Sequence, residues 1–236
     1  MNVLKLKKEI CEISHKMRQN DWVAANDGNI SVKIGNDRFL TTPTGISKGD
    51  MEVKMILEIN SKGEVLKENK KYKPSSEIAM HLQCYRDRKD INAVVHAHPP
   101  FSTAFAAADI PLDSYSLTEA IISLGAVPIA DFALPGTDEV PKSIAKFLPN
   151  HDAVLLRSHG ALTIGKDLLS AYYKMESLEL FAKTSFIARL LGGEKELSIK
   201  QIKDCIALRG KYGLKGAHPG YVKFSKNKNS QKRKAL

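Results

Sequence analysis

Cysteine is scarce in this chain. Cys11, Cys84 and Cys205 are widely separated and odd in number, which argues against a disulfide framework and suits reduced thiols. None has the spacing of a zinc ribbon or a redox pair. Long apolar runs are missing too, since no stretch approaches the roughly 18–20 residues of a membrane helix. The first residues include Lys5, Lys7, Lys8 and Glu9 where a signal peptide would be apolar. These absences lead us to expect a soluble, cytoplasmic protein with no membrane partner. A Walker-type phosphate loop, internal repeats and a dividing linker are also absent. At 236 residues, 43% of them hydrophobic, the chain can bury one good core. We expect a single domain over 1–222 and a basic, disordered tail over 223–236. Much of the net charge of +10 sits in that tail, at Lys226, Lys228, Lys232, Arg233 and Lys234. No aromatic residues interleave with the charge, so it reads as a solvated end and not as a nucleic-acid arm.

What is present is a regular alternation of patterns. Val3, Leu6, Ile10, Ile13 and Met17 fall at helical spacing, and Asn26-Asp27-Gly28-Asn29 follows as a turn. Residues 30–34 and 38–42 make a hairpin around Gly35-Asn36-Asp37, and 55–59 with 64–66 make a second around 60–63. A helix is expected over 75–86 behind Pro74, then a strand over 91–95 that closes on His96-Ala97-His98. Helices at 116–124, after Pro135-Gly136-Thr137, over 167–191 and over 198–208 complete the pattern, with strands at 127–130 and 153–156. Helices interleaved with hairpins predict a mixed or largely antiparallel sheet covered by helices, not a doubly wound parallel one.

Alternate residues of a strand project from one face, so His96 and His98 can meet one cation. A third histidine, His159, stands at the end of the strand over 153–156. Three histidines could hold zinc and leave a fourth position open, as a catalytic site requires. Imidazole and carboxylate ligands also accept cobalt, manganese or iron.

Gly28-Asn29, Thr44-Gly45 and Ser75-Ser76 each read adequately as a turn or a helix cap. As a set they suggest a phosphate pocket. Small residues let backbone N–H groups approach an anion, side chains donate hydrogen bonds, and a helix N-terminus adds a favourable dipole. Glu77 follows the serines directly. Its plain reading is a first-turn glutamate that favours the helix dipole. Its functional reading is a carboxylate between phosphate and metal, able to ligate the metal in the empty site and to move protons when substrate displaces it. Pairing Glu77 with His81, one helical turn on, is set aside because the strand histidines need a partner more.

Five ordered segments, Gly28-Asn29-Ile30-Ser31, Thr42-Pro43-Thr44-Gly45, Pro74-Ser75-Ser76-Glu77, His96-Ala97-His98-Pro99 and Ser158-His159-Gly160, resemble the class II aldolase/adducin family, over about residues 5–210. Within it the chain is similar to the fuculose-phosphate-aldolase-like enzymes. The resemblance implies a three-layer α/β/α sandwich with a central, mainly antiparallel sheet, and a homotetramer with active sites between subunits. It implies that His96, His98 and His159 are zinc ligands, with Glu77 as the fourth ligand of the empty site and the acid/base in turnover. It implies phosphate binding by Gly28, Asn29, Thr44, Gly45, Ser75 and Ser76. Tyr115 falls where such enzymes place a tyrosine that reaches a neighbouring subunit's site.

The reaction expected on these grounds is reversible cleavage of a ketose 1-phosphate, fuculose-like or 5-deoxyribulose-like, to dihydroxyacetone phosphate and an aldehyde. A small-molecule sugar phosphate is the expected partner. Alternatives on the same site are a pentulose-phosphate 4-epimerase and a methylthioribulose-1-phosphate dehydratase. A non-catalytic, adducin-like interaction module is disfavoured by retention of Glu77 and the three histidines. His218 and Tyr221, in a segment that folds over the substrate or straps the surface, are weaker candidates.

Overall fold

The computed structural model describes residues 2–67 and 71–224. Helix α1 (Val3–Gln19) starts where Asn2 accepts a hydrogen bond from the Lys5 N–H, and it buries the expected face at Ile10, Ile13 and Met17. Strands β1 (Asn29–Gly35) and β2 (Arg38–Thr41) form the first hairpin, with Val32 opposite Leu40. The second hairpin is less complete than expected. Its first arm is β3 (Leu57–Ile59), which pairs with β2, and Met55 instead closes a 3-10 turn (Val53–Met55). The return arm contributes a single bridge, Val65 to Ile59, held by the Leu66 N–H donating to Glu58 O and the Asn60 N–H donating to Glu64 O.

Helix α2 (Ile78–Asp87) and strand β4 (Ala93–Ala97) follow, then α3 (Pro100–Ala107), α4 (Thr118–Ser123), β5 (Ile129–Ala130), α5 (Glu139–Ala145), β6 (Ala153–Leu156) and β7 (Gly160–Gly165). The chain continues with α6 (Leu168–Leu190), α7 (Ile199–Ala207) and α8 (Pro219–Lys223). One seven-stranded sheet runs in the order β3-β2-β1-β4-β7-β6-β5, and only β5 with β6 is parallel. The sheet is therefore mixed and mainly antiparallel.

Register decides which helix covers which face. Ser31, Val94 and Ile164 stand opposite one another across β1, β4 and β7, and the Ser31 hydroxyl meets His81 and Tyr85 of α2. The neighbouring row, Ile30, Val95 and Thr163, faces the other way, where the Thr163 hydroxyl donates to Ala171 O of α6. Helices α1, α3 and α6 pack together on that side, and α2 packs with α5 on the first. The main core fills both interfaces. Tyr115, Ile121, Ile202, Cys205 and Ile206 form a smaller cluster between α4 and α7. No helix among the described residues is long and apolar enough to cross a membrane.

Of the expected basic tail, Lys223 closes α8 and Phe224 packs edge-on against Tyr115, so folded structure extends past the expected boundary. Residues 225–236 lie outside the described residues.

Candidate active site

His96 belongs to the row of β4 that faces α2, directly opposite Asn29 of β1. His98 lies just past the strand, its N–H donating to Trp22 O at 2.8 Å. His159 sits in the short loop between β6 and β7, where Ser158 adopts a left-handed φ of 56°. Such a conformation is costly for a residue other than glycine and concentrates at functional sites. Gly160 makes the approach possible: a Cβ there would meet Ala97 O and His98 Cδ2, both at 2.6 Å. Gly28, at φ 69°, is also constrained, since a Cβ would meet Val23 Cγ1 at 2.6 Å and His96 O at 3.0 Å.

The three imidazoles converge. Their ligand atoms all lie within 4.8 Å of one another. His98 Nε2 is 3.1 Å from His96 Nε2, and Glu77 places Oε2 3.3 Å from His96 Nε2 and Oε1 3.3 Å from His159 Nε2. Tetrahedral zinc with nitrogen donors at about 2.0–2.1 Å sets neighbouring ligand atoms about 3.3 Å apart, so this donor set fits the ion. The outer atoms fit as well. His96 Nδ1–H donates to Ala161 O at 2.9 Å, which leaves its Nε2 lone pair facing the cluster. His98 turns Nδ1 toward Asp27 Oδ2 at 3.5 Å. Glu77 Oε1 is buried without a hydrogen-bond partner among the described residues, an atom that a cation would satisfy.

The protonation states agree. Burial, with His96 and His159 adding to it, lowers the His98 imidazole to about 4. Burial and then His96 lower His159. For Glu77 burial acts upward, but His96, His159 and the Asn29 amide outweigh it and hold the carboxyl well below the usual range. At neutral pH His98 and His159 are free bases and Glu77 is ionised, the forms that bind a metal.

A cleft of about 460 Å³ opens onto this cluster, lined by Gly28, Asn29, Thr44, Ser75, Ser76, Glu77, His98 and His159 together with Asn26, Asp27 and Pro135-Gly136. A bridge between Pro43 and Pro74 draws the Thr44 turn to the start of α2. The Thr44 N–H donates to Lys73 O at 2.9 Å, and the Ser75 hydroxyl accepts from the Glu77 N–H at 3.3 Å.

Residues 8–186 match the model of the class II aldolase and adducin N-terminal domain. The chain belongs to this family. An L-fuculose phosphate aldolase of Methanococcus vannielii is 36% identical over 180 residues, 76% of this chain and 95% of that one. A 3-oxo-tetronate 4-phosphate decarboxylase of Escherichia coli is 30% identical over 187 residues, covering 77% and 86%. Among solved structures an L-fuculose 1-phosphate aldolase superposes with a TM-score of 0.81 at 29% identity, covering 89% of this chain and 96% of that one.

On this class II aldolase fold some expected residues fall elsewhere. Gly45 does not line the cleft; its φ of 72° serves the turn that presents Thr44. His81, whose pairing with Glu77 is set aside above, is buried and meets Ser31. Tyr115 is 1% exposed in the small cluster with α7, its ring beneath Lys223 Nζ at 4.4 Å, and burial raises its hydroxyl to about 12. Tyr115 is not part of the cleft lining. His218 is a buried structural group whose Nε2–H donates to Ile121 O at 2.7 Å, and Tyr221 packs beside it. Asp27 and Pro135-Gly136 are cleft residues that sequence reasoning read only as turn and helix opening.

Proposed function

We propose that the protein is a divalent-metal-dependent lyase that reversibly cleaves a ketose 1-phosphate to dihydroxyacetone phosphate and an aldehyde. One observation carries the reading: the cleft lined by Asn29, Thr44, Ser75 and Ser76 is lined also by Glu77, His98 and His159, and the buried His96 stands against Glu77 and His98. His96, His98 and His159 would hold the ion, with Glu77 as a further ligand before substrate arrives. When bound, a cation such as zinc supplies Lewis acidity at the substrate's carbonyl oxygen.

The chain's own residues do the rest. Thr44, Ser75 and Ser76 hydroxyls, the Asn29 amide and the backbone at Gly28 receive the phosphate, which aims the carbon chain toward the histidines. Cleavage moves one proton from the hydroxyl that becomes the aldehyde to the carbon left behind. In this reading Glu77 delivers it, and in synthesis it removes the same proton. Asn29 Nδ2–H donates to Glu77 Oε2 at 2.9 Å and so orients the carboxylate.

The reading includes a homotetramer with sites between subunits, for which the exposed apolar side chains Phe186, Ile187, Leu190 and Leu191 around the end of α6 give support. A role for Tyr115 at a neighbouring site would require α7 and α8 to move off it. The 30% identity to a decarboxylase favours one second reading, loss of carbon dioxide from a phosphorylated keto acid, since that reaction also leaves a carbon to be protonated beside a carbonyl. Product analysis tests the proposal. Dihydroxyacetone phosphate from a ketose 1-phosphate supports it; carbon dioxide, an epimerised pentulose phosphate or a dehydrated product in its place would replace it.

A further inference from the structure

Among the described residues the cleft lining contains Asp27 and Glu77 but no lysine or arginine. A phosphate monoester carries about −1.5 to −2 charges at neutral pH, so neutral donors alone would leave it uncompensated beside two carboxylates. Behind the wall stands Lys48, 1% exposed, in a 3-10 turn (Lys48–Asp50). Its ammonium donates to Asn26 O at 3.2 Å and Ile46 O at 3.0 Å. Those carbonyls belong to two different turns. Asn26 leads into Gly28-Asn29, and Ile46 follows Thr44-Gly45.

Lys48 forms no ion pair among the described residues, and Asp27 is the carboxylate whose field reaches it. A buried ammonium paired only with neutral carbonyls is an expensive arrangement unless an anion comes to share its field. Burial lowers the amine to about 8, which leaves it mostly charged at neutral pH. In a water-poor wall that charge acts on the cleft more strongly than a solvated surface lysine would.

We infer that Lys48 is a positioning residue for the phosphate: it clamps the Asn29 and Thr44 turns together and supplies, from behind, the positive charge that the lining lacks. The inference rests on the reading of this cleft as a sugar-phosphate site.

The test is calorimetric titration of the metal-loaded protein with inorganic phosphate, comparing wild type with Lys48→Met, Lys48→Gln and Lys48→Arg. We expect Lys48→Met to weaken phosphate binding by about 10-fold or more, the equivalent of about 1.4 kcal/mol. Lys48→Gln, whose amide can still donate to one carbonyl, separates the clamp from the charge and carries the comparison if the Met variant does not fold. Lys48→Arg should recover most of the affinity. Metal stoichiometry should stay unchanged in all three, and KM for a cleaved sugar phosphate should rise far more than kcat falls. Wild type that does not bind phosphate, or neutral variants that bind it as wild type does, would overturn the inference. Lys48-dependent phosphate binding without cleavage of any ketose 1-phosphate would leave the inference standing and remove the aldolase reading. Cleavage with phosphate binding indifferent to Lys48 would do the reverse.

Discussion

Asn29 and Glu77 are joined by a 2.9 Å hydrogen bond from the side-chain amide to Oε2, which ties the edge of β1 to the head of α2. The other amide atom, Asn29 Oδ1, is buried with no partner among the described residues. One side chain of the cleft lining therefore orients the proposed acid/base and keeps a buried acceptor without a partner beside it.

Replacing Glu77 with Gln should preserve this contact while removing the carboxylate. We expect three histidines to retain the metal and turnover to fall by about 10²–10⁴-fold, the usual worth of general acid/base catalysis. Metal analysis beside steady-state kinetics checks it; a Gln variant with full turnover would remove Glu77 from the chemistry.

Gly160→Ala should displace His98. The added Cβ would fall 2.6 Å from both His98 Cδ2 and Ala97 O, and the backbone of β4 cannot yield as a surface side chain would. Zinc affinity should drop by about 10–100-fold, as for loss of an orienting contact to a metal ligand. Competition with a chromogenic chelator measures it.

Acid should remove the metal later than ordinary histidine chemistry suggests. His98 protonates near 4, and His159 is lowered in the same direction, so protons compete weakly with the ion through the region around 6.5 where a free histidine titrates. Bound zinc should survive there and be lost as the pH approaches 4. Equilibrium dialysis across the acid range reads the curve, and release centred near 6.5 would contradict the assignment.

His218 gives a separate acid sensitivity, in stability. Its Nε2–H donates to Ile121 O and its Nδ1 accepts from the Gly220 N–H, so no nitrogen is free to take a second proton. Burial, with Arg209 nearby, lowers it to about 4. Between its unfolded value and 4 the unfolded chain binds the extra proton, so stability rises with pH across that window and is lost as pH falls. The contribution is on the order of 1–3 kcal/mol. Denaturant titrations at several pH values should show a flatter acid slope for His218→Gln than for wild type.

Much of the site was legible because its residues sit at places where sequence patterns are strong. His96 and His98 share a strand face by simple alternation, and Ser75, Ser76 and Glu77 precede a helix marked by Pro74. Other parts carried no local signal. Strand β7 is buried throughout its length, so it lacks the alternation that betrays a half-exposed strand. Helix α8 is only five residues long, and its start depends on His218 accepting from Gly220 N–H. Lys48 lies in a turn, where a lysine reads as solvated; only the fold reveals that its amine faces two carbonyls behind the cleft. Tyr115 shows the opposite limit, for its placement depends on α7 and α8, distant in sequence and packed over it.

The most direct test of the central claim is release of dihydroxyacetone phosphate from fuculose, ribulose and 5-deoxyribulose 1-phosphates, with and without EDTA. The account predicts release from at least one of them, abolished by EDTA and restored by zinc. Release that persists in the chelated protein, or none from protein shown to carry its metal, would contradict it.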